Sequence, residues 1–251
     1  MLRARRTLGS VLAQLPATWV TTRAELQRVA VHVLARRRFA LAGKIGLRAA
    51  PAGIATAAAG SEHEVVRTSG AWLLRERTGE SASARSLHLP GATLAEAAQL
   101  IEVDLEAPLD VGHDTPPVGD ADARLAIDPP SASALGAWFA FGWAVLDEAA
   151  ASLGRDAAPS VVQLWPEHFD AGCDVAAGDG RANLGASPGD AGHADPYLYV
   201  GPWGPERPGD ESYWNASFGA ILGHDALILA EDPHATAVAF LRRGVELLAS
   251  G

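Results

Sequence analysis

Between Ser131 and Leu153 the chain is apolar around the whole circumference of a helix, and no other segment constrains the fold as strongly. Leu135, Trp138, Phe139, Gly142 and Leu146 share one face at three- and four-residue spacing, while Phe141, Trp143 and Val145 make the opposite side apolar too. A helix without a polar face has to be covered on both sides. Its most apolar part, Ala134 to Leu146, is about half to two-thirds of the roughly 20 residues a bilayer requires, and it runs straight into Asp147 and Glu148. We therefore expect a buried central helix, and no membrane span.

The covering layers are sought in short alternating runs. Phe39 to Leu47, His63 to Arg67, Ala71 to Arg77 and Arg85 to Leu89 are separated by Gly, Ser and Pro, the pattern of an antiparallel meander. Val161 to Trp165, Phe169 to Val175, Arg181 to Gly185 and Tyr197 to Trp203 form a second set joined by turn residues. Thr22-Arg23-Ala24-Glu25 has the form of a capping box and predicts a helix over 23–36; Thr93-Leu94-Ala95-Glu96 predicts another, ending near Leu100. Asp232, Pro233 and the spacing of Val238, Leu241, Val245 and Leu248 predict a closing helix. The expected fold is α+β, with antiparallel sheets around a long central helix and helices at both ends. It divides into an N-terminal half (1–106), an acidic Pro-rich loop (107–130) that is a lid or a linker, and a C-terminal half (131–251); the halves are separate domains or one.

Charge is unevenly distributed. Residues 1–50 hold ten of the 20 basic residues and a single acid, Glu25, so they carry +9 while the remainder carries −19. Clustered cations suit nucleic acid or anionic lipid, yet no RNA-binding aromatic signature or helix-turn-helix pattern accompanies them. We expect the basic segment to lie across an acidic body and expect no nucleic-acid partner. Arg3, Arg5 and Arg6 ahead of an apolar stretch mimic a signal peptide, but Gly9, Ser10 and Gln14 interrupt it and no small-residue cleavage site follows, so it is read as uncleaved. The single cysteine, Cys173, excludes an intrachain disulfide and a thiolate-rich metal site, which makes a cytoplasmic location the expectation. In its predicted strand Cys173 reads as a small buried hydrophobe.

Chemistry-bearing residues concentrate between 163 and 215. All three tyrosines and three of the seven tryptophans fall there. If 164–170 is extended, His168 and Asp170 share a face and Trp165, Glu167 and Phe169 take the other. That pair suggests a metal site completed by Asp190 or His193, because catalytic zinc takes three protein ligands, and hence a metal-dependent hydrolase. It also suggests a serine hydrolase with Ser187 as nucleophile, His168 as base and Asp170 or Asp190 orienting it, although Ser187 sits in Ala-Ser-Pro-Gly, a turn sequence. A third reading, which we favour, is a non-catalytic surface for a small molecule or partner, built from Trp165, His168, Asp170, Asn183, Asp190, Tyr197, Tyr199, Trp203, Trp214 and Asn215. Aromatic faces among carboxylates suit a cationic or sugar-like ligand. No phosphate loop or His-Glu-x-x-His is present, the lone lysine, Lys44, is on a predicted strand, and no cofactor is expected.

The boxes Leu164-Trp165-Pro166-Glu167-His168-Phe169-Asp170, Asn183-Leu184-Gly185-Ala186-Ser187-Pro188-Gly189-Asp190, Pro196 to Trp203 and Trp214-Asn215 resemble those of a family of uncharacterised actinobacterial proteins. The Ala- and Arg-rich, Lys-poor composition accords with such a source. The resemblance implies no activity and transfers no catalytic residue.

Overall fold

The computed structural model describes residues 12–61, 63–80, 82–109 and 115–250. The basic start at Arg3, Arg5 and Arg6, and His113 with Asp114, lie outside them.

The chain is α+β. A first antiparallel sheet is a meander of β1 (Arg48–Ala50), β2 (Gly53–Ala55), β3 (Val65–Ser69), β4 (Trp72–Arg77) and β5 (Ser83–His88), hydrogen-bonded in chain order. A second contains β6 (Gln163–Trp165), β7 (Asp170–Ala177), β8 (Gly180–Ser187), β9 (Tyr197–Pro202) and β10 (Ala220–Gly223), again neighbour to neighbour. Leu47 and Leu164 exchange backbone hydrogen bonds at 2.8 and 2.9 Å and so tie the approach to β1 to the edge strand β6.

The helices are α1 (Trp19–Val29), a π-helical turn (Ala30–Ala35) running into α2 (Arg36–Ala42), α3 (Leu94–Ile101), α4 (Pro129–Ser152), α5 (His224–Leu229) and α6 (Pro233–Ala249). Helix α4 is the expected central element. It opens with Asp128 accepting from the Ser131 amide and Pro129 in the first turn, and it packs on β1 and β2 of one sheet and on β7 and β8 of the other. Two glycines allow both approaches. A methyl group added at Gly136 would lie 2.3 Å from the Ala52 carbonyl carbon, and one at Gly142 would lie 2.5 Å from the Ala186 Cβ. Trp138, Phe139, Val145 and Leu146 are buried between the layers.

Three local expectations are corrected. The helix at the N-terminus starts at Trp19, so Thr22 lies inside it; its hydroxyl accepts from the Asp128 amide at 3.0 Å, and Glu25 pairs with Arg28. Phe39 and Leu41 are helical, because the helix continues through the widened turn Ala30–Ala35 into α2, which opens with Arg36-Arg37-Arg38. The segment 164–170 is not one extended strand. Pro166 to Phe169 form a tight turn between β6 and β7, closed by the Phe169 amide on the Trp165 carbonyl at 2.7 Å. The Thr93 capping box, by contrast, forms in full at the start of α3, and α6 begins at Asp232 and Pro233 as expected. Among the described residues, no helix is long and apolar enough to cross a membrane.

Candidate functional site

Alternation of side chains divides the second sheet into two unlike faces. Leu164, Ala171, Cys173, Val175, Ala182, Leu184, Ala186, Leu198 and Val200 all point inward and are buried, most of them completely. The cross-strand register stacks the alternate residues on the outer face: Trp165 opposite Asp170, Gln163 opposite Gly172, Gly172 opposite Gly185, Asp174 opposite Asn183, and Gly185 opposite Tyr199. This outer face holds a cavity of about 530 Å³ lined by, among others, Trp165, His168, Asp170, Asn183, Tyr199 and Trp203.

The glycines shape its floor. A methyl group at Gly185 would fall 2.2 Å from the Tyr199 ring, so that ring lies flat across β8 and carries its hydroxyl to Asp170 on β7. A side chain at Gly185 would push it away. The Tyr199 hydroxyl donates to Asp170 Oδ2, while Oδ1 is buried with no hydrogen-bond partner among the described residues. Burial raises the Asp170 carboxyl above the usual range, opposed by the Tyr199 hydrogen bond and by the proximity of His168. Burial and then the Asp170 charge push the Tyr199 phenol well above its ordinary value, so it is the donor of the pair.

The walls are aromatic and exposed. Trp203 is 63% exposed; its indole N–H donates to Asn183 Oδ1 at 2.8 Å, and the Arg181 guanidinium lies over its ring at 5.9 Å. Trp165 is 41% exposed, and Val161, 83% exposed, also borders the cavity. Arg181 in turn pairs with Asp174. Cys173 borders the cavity while its side chain turns inward; burial first, then Asp174 and Asp147, push its thiol up to about 12, which makes it inert as a nucleophile.

His168 and Asp170 reach the same cavity by a route other than the one expected. His168 is exposed in the turn, while Asp170 begins β7. Between them Phe169 takes a left-handed φ of 57° and buries its ring against Phe139, centroids 5.3 Å apart. Burying a phenyl ring is worth about 1.5–3 kcal/mol, more than the roughly 1–2 kcal/mol such a backbone costs a residue with a Cβ.

The other candidates belong to separate local structures. Ser187 Oγ accepts from the Gly189 amide at 3.1 Å, a turn-forming bond that does not put it on His168. Asp190 accepts from Tyr197 and from the amides of Gly192 and His193; although burial opposes this, those bonds hold its carboxyl below the usual range. Arg23 and Trp19 pin the same loop by donating to the carbonyls of Ala194 and Pro188. Asp190, His193 and Tyr197 therefore build a turn and do not line the cavity. Trp214 donates to the Pro208 carbonyl, and the Asn215 amide is bonded to both backbone groups of Ile221. Both are away from the lining. Among the described residues, no group of three or more His, Cys, Asp and Glu side chains is placed to hold a metal ion.

No protein-family profile, curated protein or solved structure matches the chain.

Gln163, Glu167, Asp174 and Gly172 line the cavity without having been singled out from the sequence. Gln163, Gly172 and Asp174 were findable by extending period-two alternation across the hairpin partners. An extended 164–170 would put Glu167 on the face opposite His168 and Asp170, but the turn at Pro166 brings it to the cavity. No described residue of 107–130 lines the cavity; Val118, Leu125 and Ile127 pack against the main core instead.

Proposed function

We propose that the chain is a non-catalytic small-ligand-binding protein whose site is the cavity on the outer face of the second sheet. The observation that carries this reading is the convergence of Trp165, His168, Asp170, Asn183, Tyr199 and Trp203 on one hollow, with a buried carboxylate oxygen that accepts no hydrogen bond from the described residues. Exposed indoles give contact area at low entropic cost, and a few polar groups fix orientation. The metal-hydrolase reading lacks support from its suggested third ligands, since Asp190 and His193 are held in their own turn. A cytoplasmic location, supported by the single buried thiol, and kinship with the uncharacterised actinobacterial family belong to the same proposal and assign no activity.

Thermal unfolding of the full chain against a panel of small polar organic compounds tests it, with Trp203→Ala as control. A ligand at a hundred times its Kd adds about 2.7 kcal/mol to stability. At least one compound should raise the Tm of the wild type by several degrees and that of Trp203→Ala by less. Equal shifts in both proteins, or none in either, contradict the reading.

A further inference from the structure

Resting on that binding reading, we infer that the cavity takes a small organic cation, a primary ammonium or guanidinium group on a flat or apolar body, with Asp170 as its counter-ion and Trp165 and Trp203 as its walls.

Two independent observations point to this class. The first is the unused acceptor. Asp170 is 8% exposed, its Oδ2 is taken by the Tyr199 hydroxyl, and its Oδ1 meets no donor among the described residues. A buried carboxylate oxygen left in this state is costly, because desolvation is not repaid by a partner. A ligand N–H is the missing donor, and a charged one also answers the carboxylate's charge.

The second is the charge of the lining. Glu167, Asp170 and Asp174 line the cavity, and among the described residues no lysine or arginine does. Arg181 neutralises Asp174 from beside the Trp203 ring, and among the described residues no guanidinium or ammonium pairs with Asp170. An anionic ligand would be repelled. A neutral polyol could donate to Oδ1 but would leave the charge uncompensated. A cation does both, and the faces of exposed indoles attract it further.

Proton linkage follows from the same geometry. The titratable groups around Asp170 are Tyr199 and Tyr197 from β9, His168 and Glu167 from the turn, and Cys173 and Asp174 from β7. The tyrosines and the thiol are all pushed up and stay protonated near neutrality. A cation binds the ionised form of Asp170, whose carboxyl is raised when the cavity is empty, so binding should expel a proton and strengthen as pH rises.

The test is calorimetric titration of the full chain with phenethylammonium, its neutral isostere 2-phenylethanol, and methyl glucoside, in the wild type, Asp170→Asn and Trp203→Ala. Phenethylammonium should bind at least tenfold tighter than the alcohol, lose at least tenfold in Asp170→Asn while the alcohol does not, and bind more tightly at pH 8 than at pH 5. The proposal is overturned if the alcohol or the glucoside binds as tightly as the ammonium, if the ammonium does not bind, or if its affinity ignores both Asp170→Asn and pH. If Asp170→Asn fails to fold, the wild-type comparison of the ammonium with its neutral isostere decides the matter. A neutral probe that binds as tightly as the ammonium and is weakened by Trp203→Ala would sink the cation while sparing the cavity. Probes that bind indifferently to Trp203→Ala would sink the cavity as well.

Discussion

Two buried carboxylates in this chain live in opposite surroundings. Glu64, 3% exposed, is gripped by Arg37 at 2.5 Å, Arg77 at 2.8 Å and Arg75 at 2.9 Å. Against the cost of burial, those hydrogen bonds hold its carboxyl down at about 2. Asp170 has one phenol and one vacant acceptor, and its carboxyl is pushed up. The first arrangement is that of a structural ion network; the second, in a cleft, is the one on which the proposed binding site rests. For Glu64 the sign of the linkage is definite: a depressed folded pKa contributes stability that is complete above the ordinary value of 4.5 and is lost as pH falls toward about 2. Glu64→Gln should therefore cost about 3–5 kcal/mol near neutrality, the usual penalty for breaking a buried pair, and should flatten the acid limb between those two pH values. Denaturant unfolding from pH 7 to pH 2 measures both, and an unchanged acid limb would contradict the assignment.

At the scale of elements, helix α4 is the piece the sequence reveals most fully, because apolar residues on both faces demand two covering layers. What the sequence hides is where those layers touch. Gly136 reads as a weak point in a helix, worth about 1 kcal/mol against alanine, until the Ala52 carbonyl is found against it. Overpacking a core of this kind costs about 1–3 kcal/mol, and backbone cannot step aside as a side-chain tip can. Gly136→Ala should thus lower stability despite its better helix propensity; a Tm equal to or above the wild type would mean that α4 and the first sheet do not meet there. The misread elements have physical causes too. Phe39 and Leu41 alternate like a strand, but the helix runs on from its π turn into α2, where Arg37 is bound to Glu64. Ala220 to Leu229 packs a four-residue strand and a six-residue helix into ten residues, too short for either period to declare itself.

For the whole molecule, linear clustering between 163 and 215 translated only partly into proximity. Asn183 reaches Asp174, and Tyr199 reaches Asp170, because antiparallel register folds distant numbers onto one face. Trp214 and Asn215 are as near in sequence, yet a loop carries them to Pro208 and Ile221. The indole N–H resonances separate these groups in a single spectrum. On saturation of the isotope-labelled full chain with phenethylammonium, the account predicts shifts for Trp165 and Trp203 and none for Trp19, Trp138 and Trp214. Movement of Trp214 with Trp165 and Trp203 unmoved would contradict it.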